Sequence, residues 1–141
     1  MKIFLSTPIS CFNDKNELKK YKSDVTKLIK ALKSNNSVCS EIENINDKSD
    51  YDNPEKSIST DLTSIKDCDM FILHYPQKIP TSALIELGFA IAFNKRIIVI
   101  TPQKNILPYL IHGISAINAD SLIIEAESIN DWLIQKIISS L

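Results

Sequence analysis

The stretch from Thr81 to Thr101 reads TSALIELGFAIAFNKRIIVIT. Its first thirteen residues, Thr81 to Phe93, are apolar or small apart from one glutamate, Glu86, and form a segment of the length of a buried helix. The adjoining segment, Lys95 to Thr101, is a β-branched run without polar alternation, the pattern of a strand covered on both faces. A buried helix leading directly into a strand buried on both faces is half of a βαβ unit, so the stretch predicts an α/β fold built on a parallel sheet.

The rest of the chain extends this pattern. Lys2 to Ser6 reads as a first strand, followed by a loop that ends in a helix-capping Asn-Asp pair before Lys15. From Lys15 to Lys33 the residues Leu18, Tyr21, Val25, Leu28, Ile29 and Leu32 recur at steps of three and four, which predicts an amphipathic helix with a lysine-rich outer face. Ser37 to Ile45 reads as a second strand with Val38, Ser40 and Ile42 on one side, and residues 46–53 as a polar, exposed and mobile loop. Pro54 suits the first turn of a helix running to Lys66 with Ile58, Leu62 and Ile65 as its buried stripe. Met70 to Tyr75 is the third strand and Lys95 to Thr101 the fourth. A short helix within 105–111, a fifth strand at Leu122 to Ile124 and a closing helix from Ile129 to Leu141, with Trp132 in the core, complete the reading. The expectation is one domain spanning 1–141: three layers around a five-stranded parallel sheet, flavodoxin/Rossmann-like and doubly wound. In such sheets the ligand sits beyond the carboxyl ends of the strands where strand order reverses, which selects the loops after Leu5, Tyr75 and Thr101.

Composition excludes several functions. A net charge of -1 gives no broad basic field, so a nucleic-acid polymer is not an expected partner. No apolar run approaches the ~20 residues of a membrane span and the N-terminus lacks a signal-peptide core, so no membrane association and a cytoplasmic location are expected. Cys11, Cys39 and Cys68 are an odd set without metal-ligand spacing and read as reduced thiols, Cys39 and Cys68 as packing residues. With glycine only at Gly88 and Gly113 there is no glycine-rich dinucleotide loop. Neither a metal nor another cofactor is expected.

Two carboxylates stand out. Glu86 is the only charge in an apolar helix, where a carboxylate is costly unless paired, neutralised or used. Pairing with Lys95 and chemical use both remain open from the pattern. Asp61 lies beside the apolar stripe of the preceding helix and either leans toward the crevice or is a solvated surface acid. Two acids converging on one cleft is the arrangement that cleaves glycosidic bonds. His74 is read as a candidate for the crevice or a satisfied buried histidine, and Tyr75 and Tyr109 as core or rim packing residues, with stacking on a base as the alternative.

The ordered set Thr60-Asp61-Leu62, Ile65, Cys68-Asp69-Met70-Phe71-Ile72 and Ser82-Ala83-Leu84-Ile85-Glu86-Leu87-Gly88-Phe89-Ala90 resembles the core of nucleoside 2-deoxyribosyltransferases and the related 2'-deoxynucleoside 5'-monophosphate N-glycosidases. The opening Lys2 to Ile9 is similar to that group's first strand and substrate loop, and the resemblance spans residues 2–101. It implies cleavage or transfer at the N-glycosidic bond of a nucleoside or nucleoside 5'-monophosphate. Glu86 would be the nucleophile forming a glycosyl-enzyme intermediate, and Asp61 would hold sugar or base and help move a proton. Asp69 is read as structural. Ser6, Thr7, Ser10, Thr81 and Ser82 would bind substrate, including a 5'-phosphate, through hydroxyls and helix N–H groups. The chain departs from the group at Pro80, where an Asp or Ser is usual, and at Phe4, where a tyrosine hydroxyl would orient the nucleophile.

The same opening strand and glutamate helix also look like TIR-type domains, some of which cleave the nicotinamide bond of NAD; the Asp61-Leu62 pair favours the first group. A third reading, suggested by Pro80 and Phe4, is a catalytically silent domain that senses a nucleotide or binds a partner. Apolar residues from Ile106 to Ile111 and Ile114 to Ile117 predict a homodimer or higher homo-oligomer.

Overall fold

The structure is a computed structural model that describes residues 1–46 and 50–141. Five strands, β1 (Lys2–Ser6), β2 (Ser37–Cys39), β3 (Met70–His74), β4 (Arg96–Thr101) and β5 (Leu122–Glu125), form one all-parallel sheet in the order β2-β1-β3-β4-β5. Helices α1 (Lys15–Lys33) and α4 (Asp131–Ser140) cover one face; α2 (Pro54–Asp67), α3 (Ala83–Ala92) and a 3-10 helix at Tyr109–Ala116 cover the other. The predicted three-layer, doubly wound α/β architecture is thus the observed one. Strand order reverses between β1 and β3, which opens the crevice beyond Ser6 and His74.

Strand alternation builds the two cores. Ile3, Leu5, Met70, Ile72, Ile98 and Ile100 point toward α1 and α4, while Phe4, Phe71, Leu73, Ile97 and Val99 point toward α2 and α3. The α1 stripe is buried as its periodicity predicts, behind Asp14, whose side chain accepts from the Asn16 N–H. Asn94, at φ 53°, terminates α3 in the left-handed conformation that asparagine tolerates.

Several local expectations change, among them Tyr109, read as packing but 88% exposed. The second strand does not run to Ile45: after Cys39 the Ser40 hydroxyl donates to Leu5 O at 2.9 Å in place of a ladder bond, and the chain turns into a 3-10 helix at Glu41–Glu43. On α2 the buried residues are Asp61 and Ile65, whereas Ile58 and Leu62 are 53% and 39% exposed. Trp132 lies outside the core, exposed beneath the Lys136 ammonium at 4.8 Å. Cys39 is exposed rather than packed, while Cys68 is buried. Part of the expected mobile loop, residues 47–49, lies outside the described residues.

Candidate active site

Parallel pairing in register brings the segments that follow the strands to the carboxyl edge of the sheet. After β1 the chain supplies Thr7, Ile9 and Ser10; after β3 it supplies Thr81 and Ser82, then Glu86 on the first turn of α3. Across from them α2 presents Ser57 and Asp61. Together with Glu41, Tyr51, Asp52, Pro54 and Ala83 these residues enclose a cavity of about 310 Å³, and a second, more apolar hollow of about 400 Å³ continues between α2 and α3 past Ile58, Ile85 and Phe89. The predicted loops after Leu5 and Tyr75 do face one crevice. The loop after Thr101 lines neither hollow; its place is taken by the segment after β2.

The loop ahead of α3 is held by Tyr75, whose hydroxyl donates to Ile79 O and accepts from Ile79 N–H. The α3 N-terminus is internally satisfied: the N–H groups of Ala83, Leu84, Ile85 and Glu86 bond to Thr81 or Ser82. Of the predicted substrate-binding residues, Thr7, Ser10, Thr81 and Ser82 line the main cavity. Ser6 sits deeper, bordering a small void with Thr7, Glu41 and Glu86.

Glu86 is buried and has no basic partner among the described residues. Lys95 instead donates to Lys66 O and Cys68 O, both at 2.7 Å, capping the carboxyl end of α2. One carboxylate oxygen each from Glu41, Asp61 and Glu86 lies within 4.8 Å of the others. Among the described residues lining the main cavity there is no lysine, arginine or histidine. Burial is the main reason that the Glu86 carboxyl is pushed up to about 8; the Ser6 hydroxyl opposes this, and Asp61 and Glu41 add to it. Burial, then the charge of and hydrogen bond with Asp61, push Glu41 up to about 7, and burial also raises Asp61. Carboxylates at this spacing can hold either a divalent cation or a shared proton.

Phe4 stacks on Phe71 within the core and brings no hydroxyl to the crevice. Two residues on, on the same face of β1, Ser6 brings one. Ser6 is 2% exposed and its oxygen lacks a hydrogen bond of standard length, although it approaches Glu86 closely enough to favour the carboxylate. Asp69 is at the opposite end of the sheet, where its side chain accepts from Lys2 N–H at 2.7 Å. His74 is buried under α1 in a 2.8 Å hydrogen bond with the Tyr21 hydroxyl, and burial lowers it to about 4, so it is a neutral core histidine. His112 is exposed.

Sequence reasoning missed Glu41, Tyr51, Asp52 and Ser57. One signal was present for Glu41: β1 has only five residues, so a parallel neighbour in register with it has to end near residue 40, placing Glu41 at the carboxyl edge.

No protein-family model matches the chain, and no curated protein does. Among solved structures the chain is similar to the CMP N-glycosidase BcmB of Clostridium botulinum, at 22% identity over 99% of both chains with a TM-score of 0.73. It is also similar to a conserved protein from Enterococcus faecalis V583, at 17% identity over 100% of this chain and 99% of that one, with a TM-score of 0.65. At these identities the likeness is one of fold: a three-layer α/β arrangement on a five-stranded, all-parallel sheet, which in this chain carries a carboxylate-lined crevice at its switch point.

Proposed function

We propose that this protein breaks the N-glycosidic bond of a nucleoside or nucleotide, releasing or exchanging the base, with Glu86 as nucleophile and Asp61 beside it. The observation that carries the reading is a buried glutamate, without a cationic partner among the described residues, opening onto a cavity that also contains Asp61. A carboxylate kept in such a place without a counter-ion is destabilising, and chemical use is the physical reason to retain it. The likeness to a CMP N-glycosidase supports the same class of reaction. In that reaction Glu86 attacks C1' as the base departs, and the glycosyl ester is then opened by water or by a second base. A lysine neutralising Glu86 would support the silent-domain reading, and Lys95 is engaged elsewhere.

Within this class the site favours a neutral nucleoside over its 5'-monophosphate. Glu41, Asp52, Asp61 and Glu86 face the cavity, and none of its described lining residues is basic. A phosphate dianion would enter an acidic field with the α3 N–H groups already bonded.

The test is base release, followed by chromatography, from nucleosides, nucleoside 5'-monophosphates and NAD. Wild type is expected to act on at least one nucleoside, and Glu86→Ala to lose more than about 10³-fold in kcat. Silence of folded wild type toward the whole panel would remove the reading. Preference for NAD would favour the TIR-like alternative, and preference for a monophosphate would overturn the preference for a neutral nucleoside.

A further inference from the structure

Resting on the glycosidic reading, we propose that Glu41, held against Asp61 at the carboxyl edge of the sheet, is the acid that protonates the departing base. Its placement is built by the chain. The Ser40 hydroxyl fixes the end of β2 to Leu5 O, and the 3-10 turn after it directs its two acids in opposite directions. Glu43 faces α1 and is paired with Lys33 at 2.8 Å, while Glu41 faces the cavity and has no basic partner among the described residues. The groups around Glu41 are Asp61 on α2, Glu86 on α3, Asp52 and Tyr51 ahead of α2, and Glu43 and Cys39 on its own segment; all are acidic or weakly acidic. Three carboxylates so close resist being ionised together, so near neutral pH a proton remains among them, and the space between Glu41 and Asp61 is a place for it.

A second observation orders the charge. The Ser6 hydroxyl, buried and without a hydrogen bond of standard length, borders the small void that it shares with Glu41 and Glu86. Donation from Ser6 favours the carboxylate of Glu86 against the burial that still holds its proton at about 8, above the value of about 7 for Glu41, and the reactive form is the one in which Glu86 is ionised and the proton rests on the Glu41–Asp61 pair. The cluster is then a nucleophile next to an acid.

The step balances. A carboxylate lone pair of Glu86 forms the bond to C1'; the C1'–N bond breaks with its electron pair going to the base, which takes the proton of Glu41. Before the step the negative charges are on Glu86 and Asp61; after it Glu86 is a neutral ester and the charges are on Glu41 and Asp61. The count is unchanged, and the neutralisation of Glu86 is what makes Glu41 more acidic at the moment of donation. In the return half, Glu41 removes a proton from the attacking water, the water oxygen bonds to C1', and the ester C–O pair returns to Glu86.

The experiment compares wild type, Glu41→Gln and, as a same-turn control, Glu43→Gln. The substrates are ordinary nucleosides and a pyridinium nucleoside, whose base leaves as a neutral molecule without being protonated. Glu41→Gln is expected to lose on the order of 10²- to 10⁴-fold in kcat/KM on ordinary nucleosides and to lose the alkaline limb of the pH profile, with the pyridinium substrate little affected. Equal losses on both substrates, or a retained alkaline limb, would overturn the role. So would activity abolished by a chelator and restored by magnesium, because the carboxylates would then hold a cation. Wild type silent on every nucleoside would remove the glycosidic reading itself and is recognisable as such. Apart from turnover, carboxyl ¹³C NMR should find Glu41 titrating near 7; titration near the ordinary 4.5 would overturn the proposal.

Discussion

The energetics of the site are concentrated in Glu86. Because burial raises its carboxyl from 4.5 to about 8, the folded chain holds that proton more tightly than the unfolded chain does. Below 4.5 both states are protonated and the residue costs nothing. Between 4.5 and 8 the unfolded state ionises first, so stability falls as pH rises, and above 8 the full penalty remains. Glu86→Gln is therefore expected to unfold at higher temperature than wild type near pH 8, by a difference on the order of a few kcal/mol that vanishes near pH 4. Thermal melts across that range check this, and a wild-type curve parallel to that of the mutant would contradict it. Stability given up for a poised carboxylate is the usual mark of a reactive site. Asp61 shows how far residue-level reading reaches. Its neighbourhood to the apolar stripe was visible in the spacing, but its burial depends on α3 lying alongside, which no local pattern encodes.

At the scale of elements, α2 inverts the expectation drawn from its periodicity. Ile58, Leu62 and Ile65 form a regular stripe, yet only Ile65 is buried, because α2 turns toward α3 to present Asp61 and Ser57 to the crevice. Ile58 is left at the mouth of the hollow between the two helices. Ile65→Ala should accordingly cost about 2–5 kcal/mol in denaturant unfolding. Leu62→Ala should cost under about 1 kcal/mol, a surface-like value. Equal costs would mean that the periodic stripe, not the observed one, faces the core. β2 misleads in a complementary way: alternation over Ser37 to Ile45 imitates a long edge strand, but pairing to a five-residue neighbour and the Ser40 bond to Leu5 O stop it after Cys39.

For the molecule as a whole, the segment between β4 and β5 covers the sheet with a 3-10 helix that buries Ile111 and Ile114 but leaves Tyr109 and Leu110 88% and 81% exposed. Neither is needed by the core, and Ile117 adds to the same exposed stretch. Large apolar side chains grouped in this way favour association. Sedimentation analysis is expected to find wild type as a dimer or larger, and Leu110→Asp shifted toward monomer; a monomeric wild type at high concentration would remove this expectation. No helix among the described residues is long and apolar enough to cross a membrane.

Layer order, the parallel sheet and two acids of the crevice were legible in the chain alone. They follow from burial periodicity and from the handedness of βαβ connections, which are local properties repeated along the chain. The third carboxylate, the orphan hydroxyl of Ser6 and the lack of a basic side chain among the described residues around the cavity emerged only with the folded arrangement. Glu41, Asp61 and Glu86 come from three separate elements, and their proximity depends on how far β2 runs and how α2 rotates, just as their charge balance depends on where Lys95 is engaged. Electrostatic coupling varies with distance in space, and that distance exists only once the sheet has set the register of the loops that carry the charges.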